Sequence, residues 1–67
     1  MNTVYDIQQL LKRFGTIIYT GNRLADLELM ETEIRELYQF KMIDVKEFQH
    51  AVLVLRQQIA REKEMNR

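Results

Sequence analysis

The sequence has no cysteine, no serine and no proline, and only two glycines in 67 residues. Without cysteine there is no disulfide, no thiolate nucleophile and no cysteine-ligated zinc or iron–sulfur site. Without serine as well, nucleophilic catalysis falls to threonine, and the threonines stand at expected helix caps and connectors rather than beside a base. His50 is the single histidine, too few to anchor an ordinary zinc site, and it reads as a plain exposed residue before it reads as a pH-sensitive contact. No apolar run approaches the ~20 residues of a membrane span. The first residues lack the basic stretch and apolar core of a secretory signal. These absences predict a non-enzymatic, cytoplasmic protein with no cofactor, no metal, no membrane association and no small-molecule substrate. An excess of one charge is also missing: ten basic residues face ten acidic ones. That balance weighs against a strongly basic nucleic-acid-binding domain.

What is present favours helix. Leu, Met, Glu, Gln, Lys and Arg fill the chain, and these lose little rotamer freedom in a helix. A hydrophobic content of 46% is too high for an obligately disordered chain. The length allows one domain over residues 1–67. A chain this short buries only roughly 60% of the surface its unfolded form exposes. With no disulfide or metal to help, regular helix packing or self-association must hold it together.

Three helices are expected, in an all-α three-helix bundle. The first, about 4–14, starts after Thr3 as N-cap, with Asp6 at the positive end of the helix dipole. Val4, Ile7, Leu10, Leu11 and Phe14 form its apolar stripe, and Gly15 ends it. Thr16 to Thr20 is β-branched and aromatic and has no partner strand, which predicts an extended connector with Ile17 or Ile18 plugging the core. The second helix, about 23–40, starts near Asn22 and buries Leu24, Leu27, Met30, Ile34, Leu37 and Tyr38. Glu28, Glu31, Glu33, Arg35 and Glu36 read as its solvated face. The third, about 45–64, carries the clearest start signal. Asp44 and Glu47 form a capping box, with Ile43 and Phe48 as a hydrophobic staple. Val45, Phe48, Val52, Leu55 and Ile59 form its seam. A link of only about three residues, Lys41 to Ile43, makes helices two and three an antiparallel hairpin.

The segments Tyr5-Asp6-Ile7-Gln8-Gln9, Phe14-Gly15-Thr16, Ile18-Tyr19-Thr20-Gly21, Asp26-Leu27-Glu28-Leu29-Met30, Glu36-Leu37-Tyr38 and Ile43-Asp44-Val45-Lys46-Glu47 resemble the YqgQ-like family of short bacterial proteins. The Tyr-Thr-Gly and Asp-Leu-Glu-Leu-Met pieces are the most specific, and the resemblance covers nearly the whole chain. It implies a compact three-helix fold, a cytosolic location and binding of single-stranded nucleic acid. It implies no catalytic motif. Leu37-Tyr38, Met42-Ile43-Asp44 and Glu47-Phe48 also resemble short C-terminal hairpins that serve association.

Two functional sets follow from the residues. The first is polar and aromatic: Tyr5, Gln8, Gln9, Lys12 and Arg13 on the first helix, Tyr19 and Arg23 flanking the connector, and Arg56 and Arg61 on the third helix. Tyrosine stacks on bases, glutamine bonds base edges, and lysine or arginine meets phosphate. Charge is distributed to suit this. Lys12 and Arg13 against Asp6 give residues 1–21 a net +1, residues 22–44 carry −3, and residues 45–67 carry +2. The partner expected for this set is single-stranded RNA or DNA. The second set is apolar and lies off the main stripes: Leu29, Phe40, Leu53 and Val54. Its expected partner is a second copy or another protein.

Overall fold

The computed structural model describes residues 3–65. Three α-helices account for most of it: α1 Val4–Arg13, α2 Arg23–Gln39 and α3 Val45–Met65. α2 and α3 form a hairpin, and α1 packs on both. Among the described residues, no helix is long and apolar enough to cross a membrane.

The helix starts follow their capping chemistry. The Asp6 backbone N–H donates to Thr3 Oγ1, and the Thr3 N–H donates back to Asp6 Oδ2, both at 3.2 Å. Asp6 is therefore half of a capping box as well as a charge at the dipole end. The Ala25 N–H donates to Asn22 Oδ1 at 2.9 Å. The Glu47 N–H donates to Asp44 Oδ1 at 2.7 Å, and the Asp44 N–H to Glu47 Oε1 at 3.4 Å.

The first two helices end in the same motif. At the end of α1, Thr16 N–H donates to Leu11 O and Gly15 N–H to Lys12 O. At the end of α2, Met42 N–H donates to Leu37 O and Lys41 N–H to Tyr38 O. Both are Schellman closures, with Phe14 and Phe40 as the C-caps. Each helix thus stops one residue short of the expected end, and α3 runs one residue further. The left-handed position is filled by Gly15 at φ 83° in one case and by Lys41 at φ 59° in the other.

The core is built from Ile7 and Leu11 of α1, Leu27, Met30 and Ile34 of α2, Ala51 and Leu55 of α3, and Ile43 of the link. On α3 the fully buried residues are Ala51 and Leu55, while Val45 is exposed. Phe48 and Val52 pack partly buried against the core and Ile59 is buried, so the expected seam holds except at Val45, and Ala51 joins it. Tyr38 of α2 and Phe48 of α3 stack face to face across the hairpin, with centroids 4.2 Å apart. The Arg35 guanidinium lies 5.8 Å from the Phe48 ring centre. Offset or parallel aromatic contact of this kind adds to simple area burial.

Candidate nucleic-acid interface

Nine residues, 14–22, join the end of α1 to the start of α2, and the five from Thr16 to Thr20 form the connector between the two turns. Docking on the core decides which isoleucine enters it. Ile18 packs against the buried cluster, while Ile17 is 79% and Tyr19 85% exposed. Successive side chains of an extended chain point to opposite sides, so one inward residue places both neighbours outward. The far end of the connector is pinned by Asp26, the one buried charged residue among those described. Its Oδ1 accepts the Thr20 backbone N–H at 2.7 Å and the Thr20 hydroxyl at 2.6 Å. A carboxylate held this way replaces its lost hydration with charge-assisted bonds. It also lies in the first turn of α2, where the dipole favours an anion.

Between α1 and this connector lies a groove of about 200 Å³. Gln8, Gln9 and Lys12 form one wall, Thr16, Ile17 and Ile18 the other, and the buried Leu11 and Met30 belong to its apolar lining. Tyr5 precedes Gln8 and Gln9 by three and four positions, so it stands one helical turn along the same face. Tyr5 is 65% exposed. The groove therefore combines two amide side chains, one ammonium and an apolar wall, with two solvent-facing tyrosines near its ends.

The remaining expected cations lie elsewhere. Arg13 lines a different depression, with Leu10, Phe14, Met42, Ile43 and Glu47, towards the hairpin turn. Arg13 follows Lys12 in sequence, but a helix turns each residue by about a quarter of a circle from the last. Arg56 is not a free cation: its Nε lies 2.9 Å from Glu31 Oε1, and a second nitrogen donates to Oε2 at 3.1 Å. Arg35 donates to the same Oε2 at 3.0 Å. Glu31 is consequently no part of a solvated acidic face. Two arginines hold it, and its side chain is only 13% exposed. Arg61 is exposed on α3, which contributes no residue to the groove. Arg23 is exposed at the first position of α2, three residues beyond Thr20.

The apolar set also divides. Val54 packs against the core, so it is not an unpartnered side chain. Leu29, Phe40 and Leu53 are exposed. Leu29 and Phe40 are separated by about 16 Å along the helix axis at 1.5 Å per residue, so they do not make one patch.

Reasoning on sequence missed the Thr20–Asp26 latch and the Glu31–Arg56 pair. Asp26 carried a faint signal as an acidic residue in a helix first turn. Glu31 and Arg56 are 25 positions apart, and nothing local announces that pairing.

The YqgQ-like family model matches residues 1–61. The protein described as uncharacterised protein YqgQ of Bacillus subtilis (strain 168) is 46% identical over 63 residues, which cover 94% of this chain and 89% of that protein. The match takes in α1, the connector, α2 and nearly all of α3, and the chain belongs to the YqgQ-like family.

Proposed function

We propose that this protein is a non-enzymatic cytoplasmic binder of single-stranded nucleic acid, RNA or DNA, and that the edge formed by α1 and the connector is its interface. The observation that carries the reading is the groove itself, which brings Gln8, Gln9 and Lys12 against Ile17 and Ile18 with Tyr19 exposed beside them. Tyr19 and Tyr5 offer ring faces on which unpaired bases stack, a contact indifferent to base identity. The glutamine amides each present a donor and an acceptor to base edges. Lys12 supplies the charge for a phosphate, with Arg23 at the far end of the connector as a second cation.

Arg13, Arg56 and Arg61 fall outside this interface, which sets the expected strength. With one or two phosphates neutralised, binding is weak and its salt dependence shallow. The slope of log K against log salt is about −0.7 to −1.4 for a single strand. Fluorescence anisotropy of labelled single-stranded RNA and DNA at several salt concentrations measures both quantities. A slope in that range supports the interface. A slope steeper than about −3 would require the excluded arginines. Absence of binding at about 100 μM protein, the weak end of ordinary non-specific affinity, would remove the reading.

A protein partner is the second reading, and a separate observation favours it. Phe40 is 71% exposed, and Met42 and Val45 are exposed with it around the α2–α3 turn. Phe14 and Met42 share the depression there. Binding of oligonucleotides that is unaffected by changes in the groove would move attention to that end of the molecule.

A further inference from the structure

The connector is a single strand without a neighbour. Thr16 N–H is bonded back to Leu11 O at 2.9 Å, and Thr20 is bonded to Asp26. Between these anchors, among the described residues, the backbone N–H and C=O groups of Ile17, Ile18 and Tyr19 make no hydrogen bond. Their side chains alternate as in a sheet, with Ile18 inward and Ile17 and Tyr19 outward. The residue types are those that favour strands. Both ends are tied down, so little ordering remains to be done when a partner arrives.

Natural proteins guard such an edge with lysine, proline or an inward charge. The segment itself carries no such guard, and Lys12, which lines the groove with it, stands on α1. Phe14 to Asn22 is a run of nine residues without a charge or a proline, in a chain where 30% of residues are charged. A charged peptide finds no counter-charge on this segment, whereas two identical uncharged edges approach without repulsion.

We propose that the connector pairs with the same segment of a second copy of this chain, antiparallel, about a two-fold axis at Ile18. In that register each Ile17 lies opposite Tyr19 of the other copy. The outward backbone groups of these residues exchange four hydrogen bonds, as directly opposed residues do in alternate pairs of an antiparallel ladder. The Ile17 and Tyr19 side chains stand on one face as directly opposed β-branched and aromatic partners, a favourable cross-strand combination. The contact is isologous and closes at two copies. It buries well under the ~1,200 Å² of a stable interface, so the dimer is weak, with a Kd of about 0.1–1 mM. The inference goes beyond the nucleic-acid reading and competes with it locally. Tyr19 cannot both cover Ile17 of a second copy and stack on a base, so bound oligonucleotide dissociates the pair.

The test is made without nucleic acid. Sedimentation equilibrium from about 10 μM to about 2 mM spans the expected Kd. It is combined with isotope-filtered NMR on a mixture of labelled and unlabelled chains. The expected result is a mass rising above the 8.1 kDa of one chain, with contacts between Ile17 methyls and Tyr19 rings of different molecules. Both are lost in Ile17→Lys, a change at an exposed position whose folding is checked by its melting curve. A chain that stays monomeric at about 2 mM overturns the proposal. So does a dimer that survives Ile17→Lys or lacks the Ile17–Tyr19 contact. The nucleic-acid reading fails separately, in anisotropy at about 100 μM protein, where half or more of the chains are monomeric on either outcome.

Discussion

The two sides of α2 use similar residues in opposite ways. Towards α3, Tyr38 stacks on Phe48, Arg35 sits over the Phe48 ring, and Arg35 and Arg56 together hold Glu31. Towards the connector, Tyr19 is open to solvent and Gln8, Gln9 and Lys12 line a groove. Both regions have aromatic rings and cations. In the first they satisfy one another across the hairpin, and in the second they face outward. The difference teaches that composition alone does not mark a binding surface. An arginine already committed to a carboxylate has little left for a phosphate, and a ring already stacked has one face fewer for a base.

This contrast can be broken at several points. The largest effect belongs to the stacked seam. Phe48→Ala removes a half-buried ring and its aromatic partner contact and should cost about 2–3 kcal/mol in urea unfolding. Tyr19→Ala, on the open side, should change stability by no more than about 0.5 kcal/mol. Equal losses would mean that Tyr19 is structural.

The latch comes next. Asp26→Ala removes the acceptor of two hydrogen bonds from Thr20. It should cost about 2 kcal/mol, as bonds to a charged group do. Amide exchange at Thr20 should accelerate while α3 stays protected. A uniform loss of protection would mean that the connector and the hairpin open as one unit.

The smallest effect separates the two helix ends. Gly15 and Lys41 occupy the same left-handed position of the same closure. A Cβ at Gly15 would meet nothing within 4 Å, so Gly15→Ala carries only the conformational penalty of about 1 kcal/mol. Lys41→Gly relieves that penalty and should raise stability by about 0.5–1 kcal/mol in thermal melts. A loss on Lys41→Gly would show that the lysine side chain contributes something the backbone geometry does not.

Much of the fold was legible because its signals are local. Thr3, Asn22 and Asp44 marked the helix starts, and Gly15 marked the first end. Both ends fell within one residue of the expected place, but nothing announced the closure at the second, because a lysine in a left-handed conformation leaves no trace in sequence. The burial of Ala51 and the exposure of Val45 on α3 were hidden for a similar reason. Alanine gives little hydrophobic signal, whereas exposed Val45 gives a strong one. At the candidate interface, Tyr5, Gln8, Gln9 and Lys12 could be grouped by helical spacing. Ile17 and Ile18 could not be told apart, since alternation fixes a pattern and only docking on the core fixes its phase. The grouping of Arg13 with Lys12, and of Arg56 and Arg61 with both, rested on charge rather than position. Helix rotation separated the first pair, and a carboxylate 25 residues away removed Arg56.

The central claim is that the open edge, and not the closed seam, meets nucleic acid. A titration of isotope-labelled protein with a short single-stranded RNA, followed by amide and side-chain NMR shifts, tests it most directly. The account predicts changes at the Gln8 and Gln9 side-chain amides, at Lys12 and along Ile17 to Tyr19, with Arg56 and Phe48 unmoved. Shifts centred on Arg56, Arg61 and the α2–α3 seam, or none at about 100 μM protein, would contradict it.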